Sequence, residues 1–200
     1  TTFLYQEIQK NIENGERVLL IVPEQQTVEV ERTMSRLLPP SAQLSFEVLN
    51  FTRLANKVFR LYGGLSYHYI TSGMKNLFMW QTVRLLAPYL KEYREDRTFD
   101  RTFPEMMLSA IGELKAADVA PTDLETAASQ LPEGSPLKDK LSDLSLIYTA
   151  YESMVSESYD DADNDLAKLA AVLEREPFFA DYHVYIDSFF DFTAQEYKII

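Results

Sequence analysis

An aspartate, Asp187, closes the apolar run Val184-Tyr185-Ile186, and an aromatic ladder of Phe189, Phe190, Phe192 and Tyr197 follows it. A carboxylate at the carboxyl end of a buried parallel strand stands where open α/β sheets bind ligands and where phosphate-binding folds hold magnesium. The same residue equally suits a cap on the turn that follows. The aromatics also have two readings. Rings near a strand end stack unpaired bases, at about 1–3 kcal/mol each, or they fill a core. A second cluster, Gln25, Gln26 and Thr27, follows "RVLLIVPE". Amides and hydroxyls there suit base edges or phosphates, while Thr27 also suits a helix start. A third cluster, Phe51 and Arg53, follows "LSFEVLNF". If the three runs are neighbouring parallel strands, all three clusters reach one edge.

Other chemistries fall away. There is no cysteine, so disulfides and thiolate metal sites are excluded. His68 and His183 are isolated, and no zinc spacing, nucleophile elbow or complete phosphate-binding glycine loop is present. Asp161, Asp163 and Asp165 alternate like a calcium loop. Leu166 stands where that loop needs glycine and Val172 where it needs a bidentate glutamate. The stretch reads instead as a solvated acidic turn that caps a helix.

Two hundred residues with 46% hydrophobic and 12% aromatic content can build a core in one large domain or a domain carrying an insertion. No window approaches the ~20 apolar residues of a membrane span and no signal peptide opens the chain, which points to a cytoplasmic protein. The net charge of −12 argues against a protein that simply coats nucleic acid. Its distribution says more. Residues 1–60 carry seven basic and seven acidic side chains, and residues 61–200 carry twelve and twenty-four. Arg53, Lys57 and Arg60 form a locally basic stretch at near-helical spacing. The opening Thr1-Thr2-Phe3 lacks methionine and reads as a helix already under way, as in a piece cut from a longer chain.

The elements that must position these residues are legible in outline. Residues 1–14 suit a helix with Phe3, Leu4, Ile8 and Ile12 on one face and Gly15 as its left-handed cap. "RVLLIVPE" is continuous and β-branched, as in a strand covered on both faces, and Pro23 ends it. "QTVEVERTMSRLL" is a helix stopped by Pro39-Pro40. "LSFEVLNF" alternates as a second strand, and "TRLANKVFRLYGG" is a helix ended by Gly63-Gly64. Residues 70–178 show helical patterns and no convincing strand: a helix capped by Ser72, an apolar face of Met106, Met107, Ile111 and Leu114, and a stripe of Leu137, Leu141, Leu144, Ile147, Tyr148 and Tyr151. "YHVYIDSF" returns to a strand. The expectation is an α/β fold with a parallel sheet over residues 1–64 and 180–200, interrupted by a helical insertion over 65–179.

The order "TTFLYQEI", "LLIVPEQQT", "EVLNFTRLANKV", "YGG", "ELKAADVAPTDL" and "VYIDSFFDFTAQEY" resembles the N-terminal region of the AddB family, the B-type subunit of the bacterial ATP-dependent helicase/deoxyribonuclease that resects double-strand breaks. The match runs over nearly the whole chain, and "VPEQ.T", "FTRLA" and "IDSF…FT.QE" are its most specific parts. The resemblance implies a partial P-loop NTPase core of the UvrD helicase type with an inserted helical subdomain. It also implies that this region has lost motor activity and instead binds the emerging 3′ single-stranded DNA, scanning it for a recombination hotspot. Gln25, Thr27, Phe51 and Arg53, with Phe189 or Phe192, match the family's recognition surface. Asn56 departs from it, since relatives often carry tryptophan there. The family's phosphate loop would fall immediately before Thr1, making Thr1 the magnesium-side hydroxyl and Asp187 part of the second nucleotide motif. ATP and Mg2+ thus belong to the intact parent, as does its partner, the A-type subunit of the helicase/nuclease. The nuclease domain and iron–sulfur cluster lie outside these residues, so the fragment alone is expected to be inactive. Two alternatives stand beside this reading: an ATP-hydrolysing motor acting through Asp187 and Thr1, and a helical protein-interaction module on an α/β scaffold.

Overall fold

The computed structural model describes residues 2–93 and 102–200; Thr1 lies outside them. The chain divides into two compact units, residues 1–65 with 165–200, and residues 66–164.

The first unit is built on β1 (Val18–Ile21). Its four residues are all fully buried, because β1 lies between β2 (Phe46–Leu49) and β3 (His183–Ile186) in the order β2-β1-β3. Both pairings are parallel, with Val18 opposite Phe46 and His183, and Ile21 opposite Leu49 and Ile186. A parallel neighbour requires a crossover, and helices supply it. On one face Val18, Leu20 and Val22 pack with Ile8 and Ile12 of α1 (Thr2–Glu13) and Val30 and Met34 of α2 (Thr27–Leu37). On the other, Leu19 and Ile21 meet Leu54, Ala55, Val58 and Phe59 of α3 (Phe51–Tyr62). A mostly helical α/β unit with a small parallel sheet is the result. The unbroken apolar run of β1 follows from cover on both faces, and truncating Leu20 to alanine would cost about 2–5 kcal/mol.

β3 differs from the buried strand expected for "YHVYIDSF". It is an edge strand on which His183, Val184 and Ile186 are exposed. Sequence patterning marks a strand but not its place in the sheet order. Beyond it, Thr193 caps α9 (Ala194–Ile199) through a reciprocal box. Its hydroxyl accepts from the Glu196 N–H at 3.2 Å, and its own N–H donates to the Glu196 carboxylate at 2.8 Å.

The second unit consists, among the described residues, of α4 (Ser72–Leu86), α5 (Thr102–Ala116), α6 (Pro121–Ser129) and α7 (Pro136–Ser156), with a single isolated bridge between Tyr69 and Asp160. Met79, Val83, Met107, Ile111, Ile147, Tyr148 and Tyr151 form its core. The cap of α4 is Thr71 rather than Ser72; its hydroxyl accepts from the Met74 N–H at 3.4 Å. Asp143 is buried, and its carboxylate accepts N–H donors from Lys91, Glu92 and Tyr93 at 2.8–3.0 Å. The acidic turn at 161–165 is also not uniformly solvated. Asp161 is buried and held by Lys115 at 2.8 Å and Lys75 at 2.6 Å. Two lysines from α4 and α5 converge there, which no local spacing announces. The unit ends at Asn164, and the next helix, α8 (Asp165–Leu173), packs on α3 in the α/β unit. The sequence boundary at 179/180 placed that helix in the insertion.

Candidate nucleic-acid interface

Parallel strands in register end level with one another. The Val22 N–H donates to the Leu49 carbonyl at 3.0 Å, and the Asp187 N–H donates to the Ile21 carbonyl at 3.1 Å. The three segments that leave β1, β2 and β3 therefore start from one edge, the carboxyl edge where ligands bind in open α/β sheets.

The first segment turns at Pro23 into a short 3-10 helix, Glu24–Gln26, that leads into α2. Gln25 is exposed there. Thr27 is only 2% exposed, and its hydroxyl donates to the Pro23 carbonyl at 3.3 Å. Its contribution is to fix the turn that presents Gln25.

The second segment begins with Asn50, the N-cap of α3, whose side-chain oxygen accepts from the Arg53 N–H at 2.7 Å. That bond satisfies one of the orphan donors of the first turn. The Arg53 guanidinium meets the Glu31 carboxylate of α2 at 2.7 Å. Both partners are nearly half exposed, at 47% and 44%, so the pair contributes at most about 1 kcal/mol.

The third segment carries Asp187, half-buried, and then Ser188 in the left-handed region at φ 69°. That conformation is uncommon outside glycine, and the chain beyond it folds back over α3. Phe189 and Phe192 stack at 4.8 Å between ring centroids, and both rest on Phe51, at 5.6 and 6.4 Å. Phe51 is 6% exposed and part of the core. Phe189 and Phe192 are partly buried against it, and Tyr197 meets the edge of Phe192 at 5.3 Å. Phe190 alone of the ladder is fully exposed.

The structure thus brings Gln25, Arg53, Asp187 and the aromatic cluster to one edge, with Thr27 and Phe51 beneath it. Tyr5, in the first turn of α1, faces the same edge. Burial raises its hydroxyl pKa, and the negative charges of Asp187 and Glu29 raise it further. Among the described residues no group of three or more His, Cys, Asp or Glu could hold a metal ion. Asp187 would offer a divalent cation one carboxylate, an arrangement that suits Mg2+ when phosphates and waters complete its shell.

Three residues that hold or neighbour the candidate side chains escaped sequence reading. Asn50 carried a local signal, a cap residue directly before an amphipathic run. Glu31 and Glu47 carried none, because their pairing with Arg53 and Lys57 depends on how α2, β2 and α3 are juxtaposed.

An α/β unit with a parallel sheet, divided in sequence by a helical unit, defines the class of this protein. The family model described as "ADDB, N-terminal" matches residues 1–200. A protein of Acetivibrio thermocellus, named as the B-type subunit of an ATP-dependent helicase/deoxyribonuclease, is 34% identical over 203 residues, covering 100% of this chain and 18% of its own length. Proteins of the same name from Ruminiclostridium cellulolyticum and Caldanaerobacter subterraneus are 30% and 32% identical, over 96% and 100% of this chain and 16% and 17% of theirs. The chain belongs to the AddB N-terminal family. It spans about a sixth of the length of these relatives, between 16% and 18%.

Proposed function

We propose that the chain is the N-terminal region of the B-type subunit of a helicase/deoxyribonuclease working in DNA break repair, and that the carboxyl edge of its sheet engages single-stranded DNA. The observation that carries this reading is the convergence of Gln25, Arg53 and a ring cluster on one edge from three distant segments. An amide suits base edges, a guanidinium suits phosphate, and rings suit unpaired bases. Gln25 and Arg53 contact the strand directly. Thr27 and Phe51 hold the turn and the ring bed, Phe189 and Phe192 form that bed, and Phe190 is the ring free to stack.

Scanning for a hotspot rather than driving translocation fits an edge built for recognition. Helices on both faces of a parallel sheet support descent from a P-loop NTPase core of the UvrD helicase type. The relatives' name makes each of them one subunit of an assembly, and an A-type subunit is the partner it implies. Titration of fluorescent single-stranded DNA into the full-length protein tests the reading. Arg53→Ala and Gln25→Ala should each weaken binding, and unchanged affinity in both would remove it.

Asp187 favours a second reading, nucleotide binding at the same edge. It lies close enough to Tyr5 to perturb it, so the start of α1 and a strand-end carboxylate share one environment. ATP with Mg2+ would there supply phosphates and a cation for Asp187 to orient, with Thr1, outside the described residues, as the hydroxyl partner. Loss of nucleotide binding by full-length protein on Asp187→Ala would support it. Retention would end it.

A further inference from the structure

Among the described residues the strand β2 has a neighbour on one side only, and its other side opens onto a groove. A hollow of about 610 Å3 is lined by Leu49, Arg53, Asn56, Lys57, Arg60 and Leu61. A second of about 370 Å3 shares Leu49 and Arg53 and continues past Glu31, Ser35 and Glu47. Arg53, Asn56, Lys57 and Arg60 fall at i, i+3, i+4 and i+7 of α3 and so form one stripe, roughly 10 Å long at 1.5 Å per residue. In a chain of net charge −12 this is a local reversal of sign.

Two of its three cations are already held by carboxylates from other elements. Glu31 of α2 takes Arg53 at 2.7 Å, and Glu47 of β2 takes Lys57, which also lies 5.5 Å from the Tyr182 ring. Arg60 has no ion-pair partner among the described residues.

We propose that the single strand's phosphates run along this groove over Arg53, Lys57 and Arg60, and that Glu31 and Glu47 occupy the first two cations in place of phosphate until DNA displaces them. The proposal rests on the DNA reading above and adds its regulation. A phosphate entering the groove exchanges for a carboxylate instead of releasing a condensed counterion. Generic DNA therefore binds several-fold more weakly at Arg53 and Lys57 than it would without the carboxylates, and a strand with further contacts at the sheet edge offsets that cost. Leu49 and Leu61 give the groove an apolar floor against which sugars and bases rest.

The test is single-stranded DNA binding by the full-length protein as a function of salt, using Glu31→Gln, Glu47→Gln and Arg60→Ala. Glu31→Gln is an exposed isosteric change that leaves the fold intact. It should tighten binding of a generic strand several-fold at low salt and steepen the slope of log K against log salt by about 0.7, the increment for one more single-strand phosphate contact. Glu47→Gln should act in the same direction, and Arg60→Ala should weaken binding and flatten the slope by a similar amount. If both glutamine variants leave affinity and slope unchanged while Arg60→Ala weakens binding, the carboxylates are not phosphate stand-ins and the proposal is overturned, with the DNA reading intact. If Arg60→Ala, Arg53→Ala and Gln25→Ala are also without effect, the DNA reading has failed as well.

Discussion

The rings of Phe51 and Phe189 come from segments far apart in the chain and lie 5.6 Å apart, tilted by 60°. This contact ties the start of α3 to the segment leaving β3, beside the edge that bears Gln25 and Arg53. Aromatic pairs of this geometry contribute about 0.5–1.5 kcal/mol beyond their buried area.

Stability and recognition should therefore separate within the ladder. Phe51→Ala empties a core position and should cost about 3–5 kcal/mol, seen as a lowered midpoint in chemical denaturation. Phe190→Ala removes a fully exposed ring. It should leave the midpoint unchanged and weaken single-stranded DNA binding by about 1–3 kcal/mol. A large stability loss at Phe190 would place that ring in the core.

The cap at Asn50 should couple a local bond to the site. Asn50→Ala should cost about 1 kcal/mol, and DNA affinity should fall with it, because Arg53 loses the bond that orders its backbone. Asn50→Asp, which keeps an acceptor, should restore the stability measured by thermal melting.

The groove beside α3 has space at Asn56. Asn56→Trp should add a stacking surface there and tighten single-strand binding by about 1–3 kcal/mol, with tryptophan fluorescence quenched on titration. Unaltered fluorescence would put the strand elsewhere.

The buried pair of Asp161 and Lys115 should set the acid and alkaline limits of the helical unit. Burial pushes the Asp161 carboxyl upward, but hydrogen bonds from Lys115 and Lys75 outweigh it and hold the pKa below the usual carboxylate value. Burial pushes Lys115 downward, and Asp161 and Glu152 outweigh it in turn, so its pKa is raised. A depressed carboxyl stabilises above its unfolded pKa and ceases to as pH falls through the folded value. A raised ammonium stabilises below its unfolded pKa and ceases to as pH rises through the folded one. The contribution should thus be full between about pH 4 and pH 10. Asp161→Asn leaves buried lysine charge without its main partner and should cost about 3–5 kcal/mol at neutral pH. Chemical denaturation followed across pH checks the window and the loss.

Much of this architecture was readable from local patterns. The β-branched run at 18–21 announced a strand covered on both faces, and the helices followed from periodicity and from Gly15 and Gly63 as stops. The edge assembled from Gln25, Arg53 and Asp187 depended on three strands being parallel and adjacent, and the register of β1 with β2 and β3 has that form. What sequence did not carry was strand order and pairing across space. β3 reads as buried from its β-branched core, yet an edge position leaves Val184 and Ile186 exposed. Asp161 reads as a surface acid because the lysines that bury it lie far away in the chain. Thr27 and Phe51 read as contact residues, and their burial follows from the turn at Pro23 and from the fold-back after Ser188.

The central strand at residues 18–21 takes one neighbour from residues 46–49 and the other from residues 183–186. On a ribosome adding roughly 5–20 residues each second, the whole helical unit is synthesised before that last neighbour emerges. For those seconds one flank of the nascent sheet is bare, its backbone donors and acceptors open to any passing strand. Folding of residues 66–164 within their own compact unit during that wait would shorten the list of wrong partners.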